Sequence, residues 1–303
     1  MPKAITICVV APSGAVADDG SFDRLKNFFA ARNINVVIPD AVRSVSQRFA
    51  GSDELRLTAL HEAFARDDVD IVLAARGGYG LSRLLDRIDY NLLAGSKKIL
   101  VGHSDITALS LALLAEKSYI TFAGPHALGD FGNATPSEFT VDHFFRMLNS
   151  LQTVITVDAA NPYSLDATGT LWGSNLSLVA ALVGTRYLPT ITNGILFLED
   201  INEAPYRVER MLYQLFHAEI LQRQQAIILG DFHCDNPDSA NGYDLQNVVA
   251  HFRERLKVPI LTGLPFGHIR NKLTLPIGAT CSLRVTKQRF KLELSSYPHL
   301  SIR

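Results

Sequence analysis

Short, almost unbroken apolar runs recur through the first third of the chain: "ITICVVA", "INVVIP", "VDIVLAA" and "KKILVG". Between and after them lie helical patterns. "SFDRLKNFFAARN" is amphipathic with Ser21 as a candidate N-cap, and "SDELRLTALHEAFAR" has an acidic first turn; "LSRLLDRI" and "DITALSLALLAEK" continue the series. A strand that is apolar at consecutive positions is apolar on both faces, so both faces must be covered. Short strands of that kind alternating with helices predict an α/β fold built on a doubly wound parallel sheet. In such sheets, sites form where strands end and helices begin. "RGGYG" and "GHSD" both occupy that position.

Near residue 150 the rhythm stops. "SLQTVITVDAANPYSLDATGT" reads as a polar crossing segment with Pro and Gly, and the second half mixes strands and helices before ending in a hairpin around "CSLRVTKQRFKLEL". With 303 residues, the chain holds roughly two domains of about 150 residues each. We expect an N-terminal α/β domain over 1–150 and a C-terminal mixed α/β domain over 165–303.

Charge and composition exclude several partners. Lys+Arg 29 against Asp+Glu 30 leaves a net charge of −1 with no block of like sign, so nucleic acid is not expected as a partner. No apolar run reaches the roughly 18 residues of a membrane span. "MPKAITICVVAPSGAVADD", with Ala15 to Ala17 as Ala-x-Ala, fits the outline of a secretory signal, but the strand and helix alternation needs this stretch as its first strand. Cys8, Cys234 and Cys281 are odd in number, widely spaced and without metal-ligand spacing, which predicts reduced thiols in cytoplasm and no bound metal or cofactor.

Ser104, in "VGHSDIT", stands at the junction of a strand and a helix, and two roles compete for it. A nucleophile elbow exposes its serine there and aims the next backbone N–H at a developing oxyanion, although Ile106 replaces the second glycine of G-x-S-x-G. Alternatively Ser104 or Asp105 caps the helix. A serine nucleophile needs a base, and the base an orienting carboxylate. His103 adjoins Ser104 and is expected to point away from it; His268, in the punctuated loop "GLPFGHIRN", and His233 are further candidates. Glu199 and Asp200 end an apolar strand just before a helix that starts at Pro205, and strand alternation sends only one of them toward a site. Gly77, Gly78 and Gly80 permit close backbone approach to a ligand or a tight turn. Neither a P-loop Lys-Ser pair nor G-x-G-x-x-G accompanies them. Arg76 is a candidate for gripping a carboxylate, or a member of a surface ion pair. Trp172 to Asn175, "WGSN", opens a helix and is a candidate for ligand contacts; Trp172, the only tryptophan, alternatively packs at the domain interface.

Taken together, "RGGYG", "GHSDITAL", "FLEDINEAPYRVERML" and "GLPFGH" resemble the L,D-carboxypeptidases of the muramoyl-tetrapeptide type, serine peptidases with a Ser-Glu-His triad. The resemblance spans nearly the whole chain. It implies Ser104 as nucleophile in the N-terminal domain, with His268 as general base and Glu199 as its orienting partner in the C-terminal domain. It also implies oxyanion donors from Asp105 N–H and the Gly77–Gly78 loop, and a homodimer that removes the terminal D-alanine of a murein tetrapeptide during peptidoglycan recycling. Two other classes stay open: a same-family peptidase acting on a peptidyl-nucleotide, as in microcin immunity, and a non-catalytic α/β protein that binds a small ligand.

Overall fold

The computed structural model describes residues 4–17, 20–233 and 242–300. In chain order the strands are β1 (Thr6–Val10), β2 (Asn35–Val37), β3 (Ile71–Ala74), β4 (Ile99–Val101), β5 (Thr121–Ala123), β6 (Gln152–Asp158), β7 (Leu165–Asn175), β8 (Ile195–Ile201), β9 (Ala226–His233), β10 (Ile260–Thr262), β11 (Leu275–Ile277), β12 (Thr280–Val285) and β13 (Arg289–Ser295). The helices are α1 (Ser21–Ala30), α2 (Asp53–Ala65), α3 (Tyr90–Gly95), α4 (Ile106–Lys117), α5 (Glu138–Leu148), α6 (Leu176–Ala181), α7 (Pro205–His217) and α8 (Leu245–Arg255).

The apolar runs of the first half become a sheet ordered β11-β5-β4-β3-β1-β2, parallel except for β11. Every residue of β1, β3, β4 and β5 is buried, so both faces of their pleat are covered. A cluster of rings, Phe28 and Phe29 of α1 with Phe131, Phe144 and Phe145, joins α1 to α5. Such ring pairs each add about 0.5–1.5 kcal/mol beyond their buried area. The second sheet, β10-β9-β8-β7-β12-β13-β6, is parallel from β10 to β7 and antiparallel from β7 to β6. The fold is therefore α/β, with one parallel-rich sheet and one mixed sheet.

α4 joins the two units. Ile106 to Leu113 are buried at every position, as its all-round apolar sequence "ITALSLALL" requires. It packs against β5 and β11 of the first sheet and against β7 and α6 of the second unit. Residue 104, just ahead of its start, is thereby placed where the two units meet. Among the described residues, no helix is long and apolar enough to cross a membrane.

The structure departs from the sequence expectation at four places. Gly20, at φ 81°, precedes α1, so Ser21 is its first helical residue rather than its cap. "LSRLLDRI" forms only a 3₁₀ turn at Leu81–Arg83; helix resumes at Tyr90, where the Asp89 side chain accepts from Asn91 N and Leu92 N. The stretch expected as a polar crossing segment contains β6 and the start of β7. Gln152, Val154, Thr156 and Asp158 are the exposed alternates of an edge strand, while Thr153, Ile155 and Val157 face inward. Finally, the segment after His268 contributes β11, which crosses back to pair antiparallel with β5 of the first sheet.

Candidate active site

A cavity of about 590 Å³ opens beside Ser104, and its walls include Ser104, Gly77, Gly78, Arg76, His126 and His268. Its floor is made at the carboxyl ends of β1, β3 and β4, where the loops beginning at Ala11, Ala75 and Gly102 leave the sheet.

Ser104 adopts φ +60°, a left-handed conformation that costs a non-glycine residue energy and persists only where surrounding contacts impose it. That conformation is not the extended one of an N-cap. The residue that precedes α4 is Asp105, in ordinary helical geometry, and its side chain makes no capping bond. The Asp105 carboxyl instead accepts from Ser13 Oγ at 2.6 Å and from Leu81 N at 2.9 Å. It is fully buried, and that burial raises its pKa above the usual carboxylate value. Arg56, also buried, donates from Nη1 to Pro12 O and to Gly80 O and is paired with Asp53. These contacts bind the loops after β1 and β3 to the elbow after β4. Gly77 is pressed so close that a Cβ there would lie 2.6 Å from Ser104 Cβ, 2.7 Å from its Oγ and 3.5 Å from Asp105 N. The glycine loop thus forms the wall beside the Ser104 hydroxyl and the Asp105 N–H.

His268 comes from the loop after β10. Its Nδ1–H donates to Glu199 Oε2 at 2.8 Å, which leaves Nε2 with a lone pair. Glu199 is completely buried; its other oxygen, Oε1, accepts from Asn175 Nδ2 at 3.1 Å. Strand alternation predicts that Glu199 and Asp200 point apart, and the structure corrects this. The register of β8 against β9 shifts between Leu198 and Asp200, and this bulge brings both carboxylates onto one amide: Asn175 Nδ2 also lies 3.1 Å from Asp200 Oδ1. Burial, reinforced by the charge of Glu199 and opposed by the Ile201 N–H, lifts the Asp200 pKa to about 6. Only Glu199 meets His268.

His103 does not point clear of the site. Its ring lies edge-on to His268 with centroids 5.0 Å apart and stacks on His126 at 3.9 Å, while Nδ1 donates to Gly124 O at 2.8 Å. Burial drives the His103 pKa well below its ordinary value; burial, followed by the Lys272 charge, brings His126 to about 3. Both shifts favour the neutral rings. His233 is exposed, 3.2 Å from Asp231, and does not line the cavity.

Arg76 lines the cavity, with Nη1 donating to Ala15 O at 2.9 Å. The structure does not bring Trp172 or Asn175 to the cavity. Trp172 is buried, with Nε1 donating to Gln224 Oε1 at 2.9 Å, and Asn175 is 2% exposed. Gly80 is turned toward Arg56 rather than Ser104. Sequence pattern does not single out Arg48, Asn202 or His126, all in the cavity wall. His126 carries the same signal as His268, a histidine in a Pro/Gly-punctuated loop after an apolar strand. Among the described residues, no group of His, Cys, Asp and Glu is arranged to hold a metal ion.

Comparison with known proteins places this chain in a family. Residues 7–124 match the family model described as the LD-carboxypeptidase N-terminal domain, and residues 168–283 match the LD-carboxypeptidase C-terminal domain. The chain is 31% identical to the probable murein peptide carboxypeptidase of Bacillus subtilis (strain 168), over 96% of this chain and 94% of that protein. The crystal structure of muramoyltetrapeptide carboxypeptidase from Oxalobacter formigenes superposes with a TM-score of 0.91 at 40% identity, over 97% of this chain and 99% of that one. The structure of MccF in complex with glutamyl sulfamoyl guanosine superposes at 0.88 with 23% identity over 98% of each chain, a likeness of fold alone.

Gly77→Ala should lower kcat by at least about tenfold, because the added Cβ must displace either the Ser104 side chain or the loop beside it. Circular dichroism and a thermal melt should stay close to those of the unaltered protein; full activity in Gly77→Ala would show that the loop does not set the position of Ser104.

Proposed function

The chain belongs to the LD-carboxypeptidase family, and from that premise we propose that it releases the terminal D-alanine of a murein tetrapeptide by serine catalysis. The observation that carries this reading is the 2.8 Å hydrogen bond from His268 to the buried Glu199, on the wall of the same cavity as Ser104 in its left-handed turn. The names of the relatives support the substrate: a murein peptide for one, a muramoyltetrapeptide for the other.

The chemistry derives from the arrangement. Nε2 of His268 takes the Ser104 proton as Oγ attacks the carbonyl carbon between the diaminopimelate L-centre and D-alanine. The carbonyl oxygen becomes an oxyanion, stabilised by the Asp105 N–H and a donor from the Gly77–Gly78 loop. Collapse breaks the C–N bond, and the imidazolium returns the proton to the departing D-alanine nitrogen. Water then adds to the ester, with His268 again taking a proton, and the tripeptide leaves with Ser104 restored. Glu199 stabilises the imidazolium as it forms, so its contribution belongs to the transition state. Arg76 is suited to grip the free carboxylate that distinguishes an exopeptidase substrate.

A peptidyl-nucleotide substrate would call for a ring on which a base can stack. Among the described residues the cavity wall includes no Phe, Tyr or Trp, but it holds the rings of His126 and His268, so the relatives' names rather than the lining favour the murein peptide. We place the enzyme in the cytoplasm as a homodimer. Cys8 and Cys281 are buried free thiols, raised by that burial to about 11 and about 12, which suits a reducing compartment; Cys234 lies outside the described residues. The dimer rests on the family resemblance, and light scattering that reads the 33.3 kDa mass of one chain would contradict it.

Pure protein incubated with murein tetrapeptide should release free D-alanine, read by mass spectrometry. Ser104→Ala should abolish release, and Glu199→Gln should lower kcat by orders of magnitude with KM nearly unchanged. Absence of D-alanine, or turnover by Ser104→Ala above a few per cent, would overturn the reading.

A further inference from the structure

Asn175 is the N-cap of α6 and has no open bonding position. Its Oδ1 accepts from Ser177 Oγ at 2.6 Å and from Leu178 N at 3.2 Å. Those two donors fix the orientation of the amide, since a flipped side chain would turn N–H groups toward N–H and O–H donors. Nδ2 must therefore face the strand beside it, where its two hydrogens go to Glu199 Oε1 and Asp200 Oδ1, each at 3.1 Å. A side chain with every donor and acceptor spent has none left for substrate. The backbone of Asn175 reaches the other way: its N–H donates at 3.3 Å to Thr107 Oγ1, in the first turn of the helix after Ser104.

The chain is strained to deliver this residue. Gly173 and Ser174 both have positive φ, 121° and 107°, and a Cβ on Gly173 would sit 2.1 Å from Phe197 O in the neighbouring strand. Strain of that kind at consecutive positions persists where local contacts over-determine the backbone.

We propose that Asn175 is a positioning residue which registers the nucleophile's helix against the Glu199–His268 pair, and that Asp200 anchors the amide that holds Glu199. The proposal rests on the Ser104-His268-Glu199 reading. One oxygen of Glu199 is committed to His268; only the other is available to fix the rotation of the carboxylate, and Asn175 holds it. Asp200 in turn accepts from Ser177 N at 2.9 Å and Ile201 N at 2.9 Å, which anchors the amide it shares.

Asn175→Ser is the informative variant, because a serine can still cap the helix through Leu178 N while the two amide donors to Glu199 and Asp200 are lost. It should lower kcat on murein tetrapeptide at least about tenfold with KM within about twofold, and should shift or broaden the downfield NMR resonance of the His268 Nδ1 proton. Asp200→Asn, which puts an amide where Oδ2 accepts from Ser177 N or Oδ1 from Asn175, loosens the shared anchor and should lower kcat severalfold with KM within about twofold. Glu199→Gln is the control. If it is inactive while Asn175→Ser keeps full kcat and an unchanged resonance, the inference alone fails. If Asn175→Ser does not fold, Asp200→Asn decides, and full kcat with an unchanged His268 resonance overturns the inference. An active Glu199→Gln removes the triad reading and this inference with it.

Discussion

A carboxylate with no exposed surface can be kept in a protein interior only if its oxygens are supplied with donors, and Glu199 meets that condition from two directions. His268 serves one oxygen and Asn175 the other. The loop after β10 is thereby tied to the end of β8, and β8 to the corner where β7 enters α6. From that corner the Asn175 N–H reaches Thr107 on α4. The candidate base and the candidate nucleophile belong to different sheets, and this chain of hydrogen bonds fixes one relative to the other. Removing either of Glu199's partners would leave a buried charge short of a donor, so geometry and stability are coupled at this point.

The nucleophile side obeys a similar constraint. Ser104 is held at positive φ by contacts that do not involve its own hydroxyl: Asp105 accepts from Ser13 and Leu81, and Arg56 fastens the carbonyls of Pro12 and Gly80. Three strand-end loops are thus bound into one rigid rim. A rim of this kind holds the Asp105 N–H and the Gly77 loop in place before substrate arrives, and preorganised dipoles of that sort are worth more in a water-poor cleft than in solution. Around it, the His103 and His126 rings stack, and their burial favours the neutral forms.

Much of this architecture is legible in the sequence because it depends on local pattern. Fully apolar strands are visible as such, and a serine between one of them and an apolar helix is visible as an elbow or a cap. What separates those two roles is the φ of one residue and the partners of Asp105, which lie at Ser13 and Leu81, far away in the chain. Glu199 can be located at a strand end, but the bulge that turns Asp200 toward the same amide leaves no mark in "ILFLEDI". Asn175 is recognisable only as part of a helix opening, since its carboxylate partners lie 24 and 25 residues away. β6 is hidden for the opposite reason. Its alternation is present in "QTVITVD", but the exposed polar residues of an edge strand look the same in sequence as those of a crossing segment.

Ser104 is made reactive, on this account, by a histidine held from the other sheet. A fluorophosphonate probe tests that coupling without reference to any particular substrate, because the probe reacts only with an activated serine. Tandem mass spectrometry of the labelled protein should place the adduct on Ser104, and His268→Ala should slow labelling by orders of magnitude while the protein remains folded. An adduct on another residue, or labelling of Ser104 at an unchanged rate in His268→Ala, would contradict the account.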